Sequence, residues 1–201
     1  MSTKRQLLLG GGEEDVTDRI ADDYYPTPQW LIAAAMDHVD RRHDTILDAG
    51  AGDGRLAKAA EIKRGNHPST VTAVEVNVGR TEQYPNHWDV IPANFLTWAR
   101  QEKRRFSLVI SNPPFKEWLR FAELCLRLRA PSGVCLVLGF ANILASQNRS
   151  EWWRIHRPAK ILLSSRRPQF KEGAQGGDPR DTVWIMWGPK HNPHSTLFDW
   201  V

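Results

Sequence analysis

Beyond residue 24 the apolar residues of this chain alternate between two rhythms. Short apolar runs at 45–49, 71–76, 89–91, 106–111 and 134–140 have the length of buried strands. Between them apolar residues recur at helical spacing, over 54–64 up to Gly65 and, with a strongly two-sided pattern, over 117–129. An earlier helix is predicted from Leu31, Ile32, Ala35, Met36 and Val39, with Thr27 as cap, Pro28 as first residue and an end near Arg42. Strands joined through helices run parallel, because the connection carries the chain back to the starting edge of the sheet. The rhythm changes near the end, where 161–164 and 182–187 are joined by a polar, glycine-rich stretch without helical spacing. That pattern predicts an antiparallel pair closing one edge, and so a mostly parallel seven-stranded sheet with an antiparallel edge strand in one α/β domain.

The 201 residues suffice for a single domain with a full core, and 41% apolar with 25% charged residues is close to the soluble globular average. Residues 1–23 carry a glycine triplet and clustered acids without apolar period and read as a flexible N-terminal arm. The domain then occupies 24–189, and 190–201 reads as a C-terminal tail. A net charge of +4 conceals an asymmetry: 13–23 hold six acids and one arginine, so the remainder is strongly basic. A basic body suits a polyanionic partner, and also an ordinary solvated surface. Leu7, Leu8 and Leu9 are too short a stretch for an export signal, and the longest apolar run, 134–145, is interrupted by Gly139 and Asn142. Cys125 and Cys135 have neither disulfide-framework nor zinc-ligand spacing, and His38, His43 and His67 form no ligand constellation and read as surface residues. The expectation is a cytoplasmic protein that uses no metal and no membrane.

The first strand runs into Asp48-Ala49-Gly50-Ala51-Gly52-Asp53-Gly54, where glycines permit positive φ and close backbone approach to a ligand. An ordinary tight turn would use glycines too. The second strand, however, ends at Glu75, where a carboxylate can accept both hydroxyls of a ribose. The spacing Gly50, Gly52, Gly54 lacks the later glycine that seats a pyrophosphate, which favours a nucleoside over a dinucleotide. Asp48 suits the ammonium of an amino-acid cofactor better than a phosphate.

Ser111-Asn112-Pro113-Pro114-Phe115 follows an apolar strand and so falls at the carboxyl end of the sheet, where ligands gather in open α/β folds. A residue before proline is driven to extended geometry, which presents Asn112 rigidly, and two prolines without amide protons leave local carbonyls free to accept. An incoming NH2 group meets acceptors only. Such acceptors draw a delocalised, poorly nucleophilic nitrogen toward tetrahedral geometry, while Phe115 stacks on the planar group that carries it. The plainer alternative is a rigid strand-ending turn with Phe115 in the core.

With both motifs in place, the chain resembles the class I S-adenosylmethionine-dependent methyltransferases, and among them the amino-methyltransferases acting on adenine in DNA. The resemblance covers 24–189 and implies a single-domain Rossmann-like methyltransferase fold, S-adenosyl-L-methionine as cofactor and DNA as partner, with RNA as a further possibility. Tyr25-Pro26-Thr27-Pro28 is similar to the family's early cofactor element, which implies cofactor contacts for Tyr25, Thr27 and Pro28. Asp48, Gly50 and Gly52 then match the methionine-binding loop, Glu75 the ribose ligand, and Asn112, Pro113, Pro114 and Phe115 the catalytic motif. Small phage-type enzymes are similar in their closing segment to Arg166-Arg167-Pro168-Gln169-Phe170 followed by Asp181-Thr182-Val183-Trp184-Ile185-Met186-Trp187.

The chain departs from that family twice. Asn94 stands where relatives carry an acid that holds the cofactor's adenine amine; its amide is expected still to accept that bond, more weakly. No separate target-recognition domain is present, leaving 142–158 and 165–181 as candidate readers.

Arg166, Arg167, Lys171 and Arg180 are expected to touch phosphates, and Phe170 either to pack against an extruded base or to join the core. Trp152 and Trp153 are adjacent and are read as a contact surface, whereas Trp30, Trp98 and Trp118 are read as packing. The leading expectation is methyl transfer to adenine in DNA by base flipping. The alternatives are an RNA adenine methyltransferase, a protein glutamine methyltransferase and a non-catalytic cofactor-binding protein.

Overall fold

The computed structural model describes residues 25–39, 43–64, 69–145, 149–170, 180–189 and 195–201. The predicted arm at 1–23, the predicted helix end near Arg42, His67 and Lys171 lie outside the described residues.

Eight strands form one sheet: β1 (Thr45–Ala49), β2 (Thr70–Glu75), β3 (Asp89–Pro92), β4 (Phe106–Ser111), β5 (Arg129–Phe140), β6 (Lys160–Leu163), β7 (Thr182–Trp187) and β8 (Leu197–Trp200). Their spatial order is β3-β2-β1-β4-β5-β7-β6-β8. The first five run parallel, as the strand and helix alternation requires. Helices α1 (Gln29–Met36), α2 (Arg55–Arg64), α3 (Val78–Thr81), α4 (Phe95–Gln101), α5 (Trp118–Leu128) and α6 (Ser150–Ile155) connect or flank the strands. Pro28 caps α1 rather than opening it, its carbonyl accepting the Leu31 and Ile32 amides at 3.0 and 3.1 Å.

Both faces of the sheet are covered, which explains why the central strands read as near-continuous apolar runs. Ile46, Val71, Leu108 and Leu136 pack with α1 and α2 on one face. Leu47, Val74, Val109 and Cys135 pack with α4 and α5 on the other. The two-sided pattern of α5 buries Phe121, Ala122, Cys125 and Leu128.

Three sequence expectations need correction. The sheet has eight strands, because Leu197–Trp200, inside the segment read as a tail, pairs parallel with β6. The antiparallel strand is not at the edge: β7 pairs antiparallel with both β5 and β6. All six β7 residues are buried, and a strand that apolar on both faces needs neighbours on both sides, leaving the edge to the exposed β8. His43 is buried, where a surface position was expected.

Trp152 and Trp153 are packed rather than offered as a contact surface. Trp152 donates to Glu123 Oε1 at 3.1 Å, Trp153 donates to the Ile143 carbonyl at 3.1 Å, and both rings pack against Trp118 and Trp187. Among the described residues no helix is long and apolar enough to cross a membrane, and no three His, Cys, Asp or Glu side chains converge to hold a metal ion.

Chain order reverses between β1 and β4, adjacent strands whose onward connections leave in opposite directions. A crevice opens at the carboxyl ends of strands at such a point. The glycine turn follows β1 and the Asn-Pro-Pro-Phe tetrapeptide follows β4, so topology alone brings the two motifs together. The Ser111 hydroxyl, fully buried, fastens them by donating to the Ala49 carbonyl at 2.6 Å.

Candidate active site

Gly50, Gly52 and Gly54 hold φ of 71°, 58° and 75°, the left-handed region that side chains disfavour. The Gly50 and Ala51 amides both donate to the Val74 carbonyl at 3.0 Å, and the Tyr84 hydroxyl donates to the Gly52 carbonyl at 2.6 Å. A Cβ on Gly54 would stand 2.9 Å from the rings of Tyr84 and Trp88. The turn is therefore clamped to β2 and to the segment after α3.

Glu75, buried at the end of β2, accepts the Gly52 amide on Oε2 at 2.8 Å and the Asn77 amide on Oε1 at 2.9 Å, with Arg80 at 3.4 Å. A carboxylate oxygen can accept two hydrogen bonds, and Oε2 is shown with one, so acceptor capacity remains. The Gly52 amide, the group that would meet a phosphate, is committed to Glu75, which supports a nucleoside ligand over a dinucleotide.

Asp48 differs from expectation. It is fully buried, its Oδ2 accepts the Ala57 amide in the first turn of α2 at 3.1 Å, and it does not line the cleft. Its Oδ1 has no hydrogen-bond partner among the described residues. Burial pushes its carboxyl well above the usual carboxylate range; the Ala57 amide opposes this, and the charges of Asp53 and Glu75 add to it. Asp48 thus braces the turn against α2 instead of facing a ligand's ammonium directly.

Asn112 is oriented by two acceptors. Its Nδ2 donates to the Tyr25 carbonyl at 2.8 Å and to Thr27 Oγ1 at 2.9 Å. A carbonyl only accepts, so the nitrogen of the amide must face it, and Oδ1 is turned the other way. Pro114 accepts the Glu117 amide at 2.9 Å in the short 3-10 turn Phe115–Glu117, whereas the Pro113 carbonyl takes no part in that turn. Tyr25, Thr27, Gly50, Gly52, Glu75, Asn94, Asn112 and Pro114 line one continuous cleft, while Pro28 and Pro113 lie beside it. Thr27 also accepts Arg55 Nη1 on its carbonyl at 3.0 Å, and Arg55 in turn holds Asp53, which ties the early segment to the glycine turn.

Asn94 lines the same cleft and caps α4, its Oδ1 accepting the Leu96 and Thr97 amides at 2.9 and 3.3 Å. The oxygen expected to accept a bond from a purine amine is thus already shared by two helix amides.

Phe115 is half-buried in an aromatic group, 3.8 Å from Phe140 between ring centroids and about 6 Å from Tyr25 and Phe170. Phe170 is only 4% exposed, a core residue rather than a surface for a base. Arg180 lies 3.7 Å from the Phe140 ring centroid and 5.8 Å from that of Phe115, so it stands over the cluster beside Asn112. Arg166 stacks on Trp30 at 4.1 Å and Arg167 pairs with Asp181 at 3.2 Å; both are exposed. Sequence reasoning missed Arg55, Val76, Arg80, Leu96, Glu117 and Phe121, all of which line the cleft. Only Arg80, one helical turn from Glu75's segment, carried any signal as a charged neighbour of a predicted ligand.

The lining suits a nucleoside: a carboxylate at the end of β2 and apolar Val76, Phe95 and Leu96 along the wall, with Arg55 and Arg80 held beside Asp53 and Glu75. No protein-family model matches the chain. Over 79 residues, 35% of this chain and 32% of that protein, it is 33% identical to the tRNA1(Val) (adenine(37)-N6)-methyltransferase of Cronobacter sakazakii. The chain spans about a third of the length of the curated relatives it matches. In structure it is similar to the type I restriction-modification methyltransferase subunit of Streptococcus thermophilus, with a TM-score of 0.69 and 17% identity over 87% of this chain and 47% of that one. It is similar also to a Listeria monocytogenes protein assigned to the class I S-adenosylmethionine-dependent methyltransferases, with a TM-score of 0.66 and 14% identity over 90% of this chain and 67% of that one. The chain has the class I methyltransferase fold. Within that fold the cleft at the β1 and β4 switch point is the candidate active site, and the glycine turn and Asn112 stand on its two sides.

Proposed function

We propose that the chain transfers the methyl group of S-adenosylmethionine to the exocyclic amino group of adenine in nucleic acid, with DNA as the first substrate class. The observation that carries this reading is the fixed orientation of Asn112: two acceptors hold its NH2 and leave Oδ1 on the other side of the amide, in a residue that lines the cleft containing the glycine turn.

S-adenosylmethionine, when bound, supplies a methyl group on a positively charged sulfur. Glu75 would hold the ribose, and the carbonyl and amide oxygens around the glycine turn would face the cationic tail. Asn112 Oδ1 and a carbonyl of the Asn-Pro-Pro turn would accept the two N–H bonds of the target amine, and Phe115, next along the chain, would stack on its ring. With both protons held, the nitrogen lone pair would be directed into the cleft, where the sulfonium would supply the methyl group as its leaving thioether departs, and the nitrogen's extra proton would pass to solvent. Orientation and fixed dipoles thus supply the catalysis, worth up to about 7–11 kcal/mol from positioning alone in favourable cases. Chemistry on a paired base requires that it first leave the stack.

The similarity to tRNA adenine methyltransferases favours a second reading in which the substrate is RNA. Incubation with methyl-labelled cofactor and equal masses of DNA, RNA and cell protein separates the cases. Label in DNA supports the first reading and label in RNA the second; label only in protein, or in nothing, overturns both.

A further inference from the structure

A second concavity lies at the amino ends of the parallel strands, away from Asn112. Arg127 near the end of α5, Arg129 at the start of β5, and Arg154 and Arg157 at the end of α6 converge on a groove of about 740 Å3. Glu123 is the single carboxylate in its lining. Two of the guanidiniums are locked by neutral partners: Arg127 donates to the carbonyls of Ala99 and Glu102, and Arg129 to those of Ala130, Pro131 and Gly133. Carbonyls fix a guanidinium without neutralising it, so positive charge is held in place. Arg154 and Arg157 stand exposed at the rim.

Four arginines and no lysine suit an anion with oxygens for the planar fork, as a phosphodiester has. The arginines are spread over the end of α5, the start of β5 and the end of α6, so an extended polyanion meets more of them than a single small ion does. We infer that it binds the phosphate backbone of the nucleic acid whose adenine is modified, an inference that rests on the substrate class proposed above.

The geometry sets a length requirement. Arg129 is in register with Phe106 and Val137 with Ser111, so the groove and Asn112 are separated along the sheet by about six residues of β4, roughly 20 Å at about 3.3 Å per residue. The cleft and the groove open at opposite ends of the strands, so a substrate that touches both follows the surface, a path longer than that separation. A short substrate of a few base pairs reaches the active site alone, and a longer, bent duplex or a folded RNA reaches both.

The test compares the full chain with Arg154→Glu/Arg157→Glu and with the charge-retaining Arg154→Lys/Arg157→Lys, all checked by thermal melting. Binding and labelled-methyl transfer are measured on substrates of about 30 and about 8 base pairs across a salt series. The charge reversal is expected to weaken binding of the long substrate on the order of tenfold or more at low salt and to lower its log–log salt slope by about two. The short substrate should bind and be methylated as by the unaltered chain, and the lysine variant should stay near the unaltered chain on both. Unchanged affinity and slope on the long substrate, or equal loss on both lengths, overturns the groove while leaving the proposed function standing. If the unaltered chain methylates no nucleic acid of either length, the function reading itself has failed, and the groove inference with it.

Discussion

Thr27 Oγ1 accepts Asn112 Nδ2 at 2.9 Å, a contact between residues 85 positions apart in the chain. With the Tyr25 carbonyl on the other side, the amide cannot turn over without setting oxygen against oxygen. Thr27→Val keeps the shape and removes the acceptor, so Asn112 should lose part of its orientation. The expected result is a fall in kcat of about tenfold, with cofactor affinity changed by no more than about twofold and stability lowered by about 1 kcal/mol. Steady-state kinetics beside a denaturation curve read all three, and an unaltered kcat would remove Thr27 from the account.

Asn94 lines the cleft while its oxygen caps α4. An aspartate there keeps one oxygen on the helix and offers the second to a purine amine, and its charge also suits the helix N-terminus. Asn94→Asp is expected to tighten cofactor binding by about five- to tenfold in calorimetry, the scale of one charge-assisted hydrogen bond. Equal or weaker binding would mean that the purine is not held beside α4.

Most of the fold was legible from the alternation of apolar runs, and β1 and β4 lie where that pattern puts them. The position of β7 was not legible, since sequence spacing says that two late strands pair but not which neighbour the second takes. β8 escaped notice because its four residues are exposed and show no burial pattern. At the site, Gly50, Gly52, Glu75 and Asn112, singled out because their residue types suit chemistry at an element's end, all line one cleft. What sequence did not show at Asp48 and Asn94 is that a polar side chain near a helix start can also serve backbone amides, those of Ala57 for Asp48 in β1 and of Leu96 and Thr97 for Asn94, and which way its oxygens turn.

Asp48 predicts a pH signature. Its folded carboxyl is raised by burial, so between the ordinary carboxylate range and that raised value the native state binds more protons than the unfolded chain. Stability from this group is therefore present at the acid end of that window and is lost as pH rises through it. Asp48→Asn keeps an oxygen for the Ala57 amide and removes the titration. Melting curves at pH 5 and pH 8 should show a larger drop on going to pH 8 for the unaltered chain than for the variant; parallel shifts would contradict the assignment.

Gly54→Ala tests the clamp on the turn. The new methyl meets the rings of Tyr84 and Trp88 at 2.9 Å on a backbone with φ of 75°, so both strain and overlap oppose it. A loss of about 1–3 kcal/mol is expected in urea denaturation. A loss below about 0.5 kcal/mol would show that the turn relaxes freely.

The central claim is that Asn112 Oδ1 holds the amine that receives the methyl group. Nucleic acid treated with the protein and S-adenosylmethionine, digested to nucleosides and analysed by mass spectrometry, tests it directly. The account predicts N6-methyladenine as the product, and with Asn112→Ala a loss of about 100-fold or more in rate while cofactor affinity stays nearly unchanged. A methyl group on another base or atom, or product formed at the normal rate by Asn112→Ala, would contradict it.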